Sequence, residues 1–158
     1  MTDPLFLDAS GPLRPGDAAV ALLVLEDGRY LMQRRDLVPE IFYPDHWSFF
    51  GGAMGPGESD LAALVREIDE ELGYSFDPEC ATYFTTVSFD FNFAGLGTLR
   101  RVFFEVPILS GQVPQLVLSE GRDMRAFDGR DLLLNHPVAP YDAFVLWLHL
   151  RGDRIRGR

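Results

Sequence analysis

The sequence of 158 residues contains no lysine, so all 14 of its basic residues are arginines, and they stand against 24 acidic residues for a formal net charge of -10. Non-specific binding to nucleic acids or to anionic membranes depends on a basic surface, and this balance argues against both. A phosphate-containing ligand would therefore need a cation between itself and the protein. Arginine suits planar recognition of phosphate or carboxylate, although a GC-rich genome would give the same composition.

Cysteine is almost absent, and long hydrophobic segments are missing. Cys80 is the one cysteine, so no internal disulfide can form. No uninterrupted apolar run approaches the ~18 residues of a membrane span, and the first residues include neither a basic region nor an apolar signal core. These features lead us to expect a cytoplasmic location. With 47% apolar residues, the chain has the composition of one globular domain.

Turn-forming residues and hydrophobic periodicity divide the chain into three predicted parts. Residues 1–17 are interrupted by proline and glycine and are interpreted as an irregular N-terminal arm. Residues 18–150 hold the periodic segments and form the predicted domain. Residues 151–158 are rich in arginine and form a predicted basic C-terminal tail.

Several strands are predicted from the hydrophobic pattern. The apolar run at 19–25 is continuous, as in a strand that is buried on both faces, and turn residues separate it from a returning strand at 30–35. Residues 47–50 form a short strand that leads into a glycine loop. Strict alternation at 87–93 predicts a half-buried strand, and the run at 99–108 completes a hairpin with it.

The main helix is predicted directly after the glycine-rich loop at 51–57. Ser59 is a suitable N-cap, and Gly73 suits the position that follows the last helical turn. Two further helices are predicted, one near 130–134 and one from Pro140 onward. The apolar residues of the main helix gather on one face, and they are Leu61, Leu64, Val65, Ile68 and Leu72.

Three glutamates at i, i+3 and i+4 spacing, Glu67, Glu70 and Glu71, lie on another face of this helix. The small Ala63 shares this face and is expected to leave it open to a ligand. Most such clusters are solvated surface, but here the like charges repel one another and face the negative end of the helix dipole, with local relief only from Arg66. A bound divalent cation would convert both penalties into coordination. Oxygen ligands of this kind suit Mg²⁺ or Mn²⁺ better than Zn²⁺.

The segment from Gly52 through Glu58 to residues 66–74 resembles the Nudix box of the MutT-like pyrophosphohydrolases. Every fixed position of the pattern is filled, and the one departure is Tyr74, where the family usually has an aliphatic packing residue. The resemblance implies an α/β fold, the Nudix-type α/β/α sandwich with a mixed β-sheet between helices.

The resemblance also implies roles for individual residues. In similar proteins, the positions that bind divalent metal and serve catalysis match Glu67, Glu70 and Glu71, with the backbone carbonyl of Gly52 as a further metal ligand. The residues that match Glu58 and Arg66 hold the loop against the helix.

Outside the box, the sequence offers three weaker candidates. Glu120 stands where several MutT-like proteins carry a loop glutamate that binds metal or orients water, although a solvated acid is an equal alternative. Arg34 is expected to contact substrate, with Arg35 as its rival, because strand register decides which of the two points inward. Asn135 resembles a base-contacting asparagine of the family, but a turn or capping role is the stronger alternative.

The family resemblance implies hydrolysis of a nucleoside diphosphate linked to a moiety X, with Mg²⁺ or Mn²⁺ as cofactor. Nucleoside triphosphates, including oxidised ones, are the expected substrates, and the products are then a nucleoside monophosphate and pyrophosphate. Nucleotide sugars and ADP-ribose are alternatives, as is a catalytically silent nucleotide-binding module. We expect a monomer or homodimer that binds neither a nucleic acid polymer nor a membrane.

Overall fold

The computed structural model describes the backbone of residues 16–155 and the side chains of residues 16–152. Apart from Gly16 and Asp17, the predicted N-terminal arm lies outside the described residues, as does the end of the chain after Ile155. Within the described part, no helix is long and apolar enough to cross a membrane.

The described residues form one mixed sheet with helices on both faces. Its strands are β1 (Ala18–Leu25), β2 (Tyr30–Arg34), β3 (Trp47–Ser48), β4 (Phe50–Ala53), β5 (Thr82–Asp90), β6 (Thr98–Ile108) and β7 (Asp123–Phe127). The helices are α1 (Asp60–Leu72), α2 (Gly129–Asn135) and α3 (Pro140–Ile155). The strand order is β3-β2-β1-β6-β5, with β4 paired to β1 and β7 paired to β2. Only the β1–β6 pair is parallel within this set.

β1 lies at the centre of the sheet and is buried on both faces, which explains its unbroken apolar sequence. Because side chains alternate along a strand, Ala19, Ala21 and Leu23 join the core under α1, whereas Val20 and Leu22 join the core with α2 and α3. These two cores confirm the predicted α/β/α sandwich.

The sheet divides along one edge of β1. Residues 18–21 pair with β4, whereas β1 pairs with β2 only at Leu23 and Val24. Phe49 carries the chain from β3, which pairs with β2, to β4. The strands β2, β3 and β7 therefore separate from β1, β4 and β6, and the candidate site lies at this split.

One strand prediction is wrong, and one strand is not predicted. The strand predicted at 87–93 ends at Asp90, because the Asp90 carboxylate accepts the N–H of Asn92 at 2.8 Å and the chain then forms a short 3-10 turn. Phe93 is consequently exposed rather than packed. The sequence also fails to predict β7, because its five residues include two charged ones and alternate too briefly to be distinguished from a loop.

Two helix predictions also need correction. Ala63 does not leave an open surface, because α1 packs closely on the sheet and fully buries this side chain in the core. The small methyl group allows this close approach. The helix α3 continues to Ile155, so its last turn lies within the segment predicted as a tail. The single Gly152 there costs a helix only about 1 kcal/mol, which does not end it.

Candidate active site

The local sequence fixes both ends of α1. The Ser59 hydroxyl accepts the N–H of Ala62 at 3.2 Å, which caps the first turn as predicted. At the other end, Gly73 has a left-handed conformation with φ 59° and donates its N–H to Asp69. The helix and its acidic face are therefore held at defined ends.

Two glycines in β4 allow the loop to approach its neighbours closely. Gly51 has φ 136°, and a Cβ there would overlap the carbonyl of Ala19. A Cβ on Gly52 would overlap the carboxylate of Glu67. Glycine at 52 thus leaves the Glu67 carboxylate directly against the loop backbone.

Arg66 and Glu58 connect the loop to the helix. The guanidinium donates to both Glu58 oxygens, at 2.8 and 2.9 Å, and to the carbonyl of Ala53 at 3.0 Å. Glu58 also accepts the N–H of Gly55 at 2.8 Å. The pKa of Glu58 is lowered to about 2, mainly by the hydrogen bonds from Arg66 and to a smaller extent by the one from the backbone of Gly55. The structure therefore brings these two residues together as a bridge between loop and helix.

The same guanidinium contacts two of the three clustered glutamates. Arg66 lies 2.7 Å from Glu67 and 3.2 Å from Glu70. Burial raises the pKa of Glu67, and Arg66 opposes that rise. The Glu70 side chain is 58% exposed, so water solvates much of its charge.

Glu71 is in a different position, because it is 7% exposed and has no ion-pair partner in the described structure. One carboxylate oxygen, Oε2, accepts the N–H of Gly51 at 2.9 Å, and the other, Oε1, lies 3.5 Å from the amide nitrogen of Gln33. Burial raises the pKa of Glu71 to about 7, and the negative charges of Glu120 and Glu67 add to this rise. A buried carboxylate without a cationic side chain as partner in the described structure thus lies at the centre of the acidic face.

The C-terminal carbonyls of α1 hold Glu120 near Glu71. Ser119 donates its N–H to the carbonyl of Glu71 at 2.9 Å, and Val117 donates to that of Leu72 at 3.0 Å. These bonds satisfy helix-end acceptors that would otherwise have no partner. The next residue, Glu120, then lies beside an open cavity of about 80 Å³, whose lining residues are Gln33, Arg35, Asp36, Ile41, Glu71, Glu120 and Gly121.

The donor set of this face fits a divalent cation. Its groups are carboxylate oxygens, which are the ligands that Mg²⁺ prefers, and Glu71 has no cation to offset its burial. Among the described side chains, no three acidic, histidine or cysteine residues converge as a complete metal site. Glu67 and Glu70 both accept hydrogen bonds from Arg66. The glutamates that could hold a metal are Glu67, Glu70 and Glu71.

The structure separates the two candidate arginines of β2. Arg34 pairs with Asp45 at 2.8 Å, so its charge is already matched. Arg35 lines the cavity and donates to the carbonyl of Phe42 at 2.7 Å. Asn135 is the last residue of α2 and donates to Asp131 at 2.7 Å, and the cavity described above does not include it. The geometry therefore favours Arg35 over Arg34 and gives Asn135 a local role.

A charged pair on the α3 side of the sheet, with one fully buried member, is not predicted from the sequence. Asp142 is 0% exposed, and its Oδ2 accepts the N–H of Phe49 at 3.1 Å. Its Oδ1 lies 3.6 Å from Arg101, whose guanidinium covers the ring of Tyr141 at 4.2 Å. Neither this Oδ1 nor Nε of Arg101 has a hydrogen-bond partner among the described residues. Burial raises the pKa of Asp142, and the charges of Arg101 and Arg35 oppose it.

The comparisons with known proteins agree with this geometry. The model of the NUDIX domain matches residues 14–144. A curated relative, the CTP pyrophosphohydrolase of Escherichia coli (strain K12), is 41% identical over 54 residues, which are 34% of this chain and 38% of that protein. The aligned part therefore spans little more than a third of that relative's length.

Solved structures show the same fold over nearly the whole chain. The solution structure of the E. coli ORF135 protein is 25% identical with a TM-score of 0.68, and the match covers 91% of this chain and 98% of that one. The crystal structure of a MutT protein from Methanosarcina mazei Go1 is 20% identical with a TM-score of 0.72, and the match covers 94% and 100%. Together with the family match over residues 14–144, these likenesses confirm the resemblance carried by the box, and the chain belongs to the NUDIX domain family.

Proposed function

We propose that this protein hydrolyses a phosphoric anhydride bond in a nucleoside diphosphate derivative, with nucleoside triphosphates as the leading substrate class. The observation that carries the proposal is the buried Glu71, which has no cationic side chain as an ion-pair partner in the described structure and lies beside Gly51, Glu67 and Glu120 at the edge of an open cavity. A site of this kind needs positive charge, and an anionic substrate needs it as well. The acidic protein and its anionic substrate class therefore both call for a partner with positive charge.

That partner is a divalent metal, which the NUDIX family generally uses. The residues that would hold it are Glu67, Glu70 and Glu71. When bound, Mg²⁺ or Mn²⁺ would neutralise charge on the diphosphate and lower the pKa of a water molecule. Glu58 holds Arg66, and Arg66 keeps Glu67 and Glu70 at the loop. Glu120, exposed at the cavity edge, is suited to accept a hydrogen bond from the attacking water.

The side chains that would bind the rest of the nucleotide extend from Arg35 toward α3. Arg35 lines the cavity, and its charge also reaches Tyr141 and Asp142. We assign Arg35 to substrate phosphate and the Arg101–Asp142 pair to the base. Oδ1 of Asp142 and Nε of Arg101 are an acceptor and a donor that have no hydrogen-bond partner among the described residues. Cytosine presents an amino donor beside ring acceptors, which matches this pair and agrees with the similarity to the CTP pyrophosphohydrolase of E. coli.

The test is turnover of a nucleotide panel in Mg²⁺ and in chelator, with products separated by chromatography. Release of pyrophosphate from nucleoside triphosphates supports the proposal, and CTP is expected among the best substrates. If only nucleotide sugars or ADP-ribose are cleaved, with release of a sugar phosphate and a nucleoside monophosphate, these compounds are the substrate class instead. If no member of the panel gives a metal-dependent product, while the protein still binds nucleotides, the chain is a binding module and the proposed activity is wrong.

A further inference from the structure

Gln33 is a buried polar residue of the cavity that neither the sequence nor the family match singles out. It lies near the end of β2, is 5% exposed, and lines the cavity together with Glu71 and Gly121. A polar side chain buried to this degree is normally held by hydrogen bonds, and its partners show what it does.

The amide group of Gln33 reaches across the split in the sheet. Its nitrogen lies 3.3 Å from the carbonyl of Phe49, the residue that crosses between the two groups of strands, and 3.5 Å from Oε1 of Glu71. Its oxygen faces the loop that carries Glu120, because a Cβ on Gly121 would lie 3.0 Å from it. Gln33 therefore touches the strand crossing, the buried carboxylate and the loop at once.

Only one oxygen of Glu71 is held by the backbone. Gly51 fixes Oε2 at 2.9 Å, and within the described structure Gln33 is the one group placed to donate to Oε1. A carboxylate with one fixed oxygen can still rotate about its last bond, and the second donor restricts that rotation. Residues that orient a metal ligand in this way typically change metal affinity or activity by about 10- to 100-fold when they are replaced.

We propose that Gln33 is a positioning residue, which orients Oε1 of Glu71 toward the cavity and determines how closely the loop that carries Glu120 approaches β2. The inference rests on the proposed function, because it takes Glu71 as a metal-facing carboxylate. It differs from a packing role, for which an apolar side chain of similar size would serve equally well. Gln33→Leu keeps most of the volume and removes the donor, so it separates these two roles.

We expect Gln33→Leu to lower kcat about 10-fold or more and to weaken Mn²⁺ binding, measured by paramagnetic resonance without substrate, by a similar factor. KM for the nucleotide should change little, because Gln33 acts on Glu71 and not on the Arg101–Asp142 pair that we assign to the nucleotide base. The matched control is Gln115→Leu at an exposed glutamine, which should leave both measurements unchanged. Gln33→Met, which is more flexible, replaces the leucine variant if that variant fails to fold in chelator.

A double-mutant cycle decides whether Gln33 acts through Glu71. In the Glu71→Gln background, Gln33→Leu should cause no further loss of residual rate or Mn²⁺ affinity, whereas in a Glu58→Gln background its effect should persist in full. Wild-type kcat and Mn²⁺ affinity in Gln33→Leu, alongside an inactive Glu71→Gln, would overturn the inference and leave the proposed function standing. An active Glu71→Gln would instead refute the assignment of Glu71 and with it the proposed function.

Discussion

Replacing Glu71 by glutamine is expected to stabilise the metal-free protein while removing its turnover. The side chain is almost fully buried, and burial together with the charges of Glu120 and Glu67 raises its pKa from 4.5 to about 7. This difference corresponds to about 3 kcal/mol of unfavourable free energy once the carboxylate is ionised in the folded state. Glutamine keeps the size and can still accept the N–H of Gly51, so most of this penalty is relieved.

The effect has a defined pH dependence. Because the folded-state pKa of Glu71 lies above its ordinary value, the folded protein holds the proton between about pH 4.5 and 7 and loses stability as the pH rises through this window. In chelator, the variant should therefore melt about 6 to 12 °C above the wild type at about pH 8.5. The two proteins should melt together below about pH 3.5, where Glu71 is protonated in both the folded and the unfolded state.

The assay combines melting curves in chelator with rates in Mg²⁺. Turnover of Glu71→Gln should fall by about two orders of magnitude or more. The matched control is Glu70→Gln, on the same turn of α1, because Glu70 is half exposed and already faces Arg66. This control should show no stabilisation at high pH. If Glu71→Gln melts below the wild type in chelator at about pH 8.5 and keeps its rate, Glu71 is a structural residue and the reasoning fails.

Three further changes test the surrounding parts. Glu58→Gln should lower the melting temperature near neutral pH, because Arg66 lowers the pKa of Glu58 to about 2. In melting curves at acid pH, the difference from wild type should shrink as the pH falls from about 4.5 toward 2. Gly52→Ala should displace the Glu67 carboxylate and reduce Mg²⁺-dependent rates about 10-fold or more. The control Gly111→Ala, where a Cβ meets nothing within 4 Å and the backbone is not left-handed, should keep its rate. Chelator should stop turnover in every active variant, and excess Mg²⁺ should restore it; a rate that survives dialysis against chelator would contradict the metal assignment.

The features that are local in sequence were predictable. Ser59 and Gly73 bracket α1 by short-range capping rules, and the structure has both caps. The central strand at 18–25 was evident because a strand covered on both faces must be apolar throughout. The contact between Glu58 and Arg66 follows from the box and spans only eight positions.

The features that depend on distant contacts were not predictable. Ala63 is buried because α1 packs on the sheet with this side chain at the contact, and helical periodicity alone does not give the packing angle between the helix and the sheet. The choice between Arg34 and Arg35 depends on strand register, which shifts every side chain to the other face when it moves by one residue. Asp142 and Arg101 come from α3 and β6 and carry no spacing signal, so only the fold reveals them.

The hydrogen bonds from Val117 and Ser119 to the end of α1 have a consequence for the order of synthesis. The glycine loop and α1 leave the ribosome early, but the segment that closes the end of α1 is made much later, after β6 has supplied the parallel neighbour of β1. A nascent chain that stops before residue 117 therefore contains the whole box but lacks the N–H groups of Val117 and Ser119 that hold Glu120 near Glu71. Because contacts between distant chain segments form only after both segments have been made, Glu120 should join Glu71 late in synthesis.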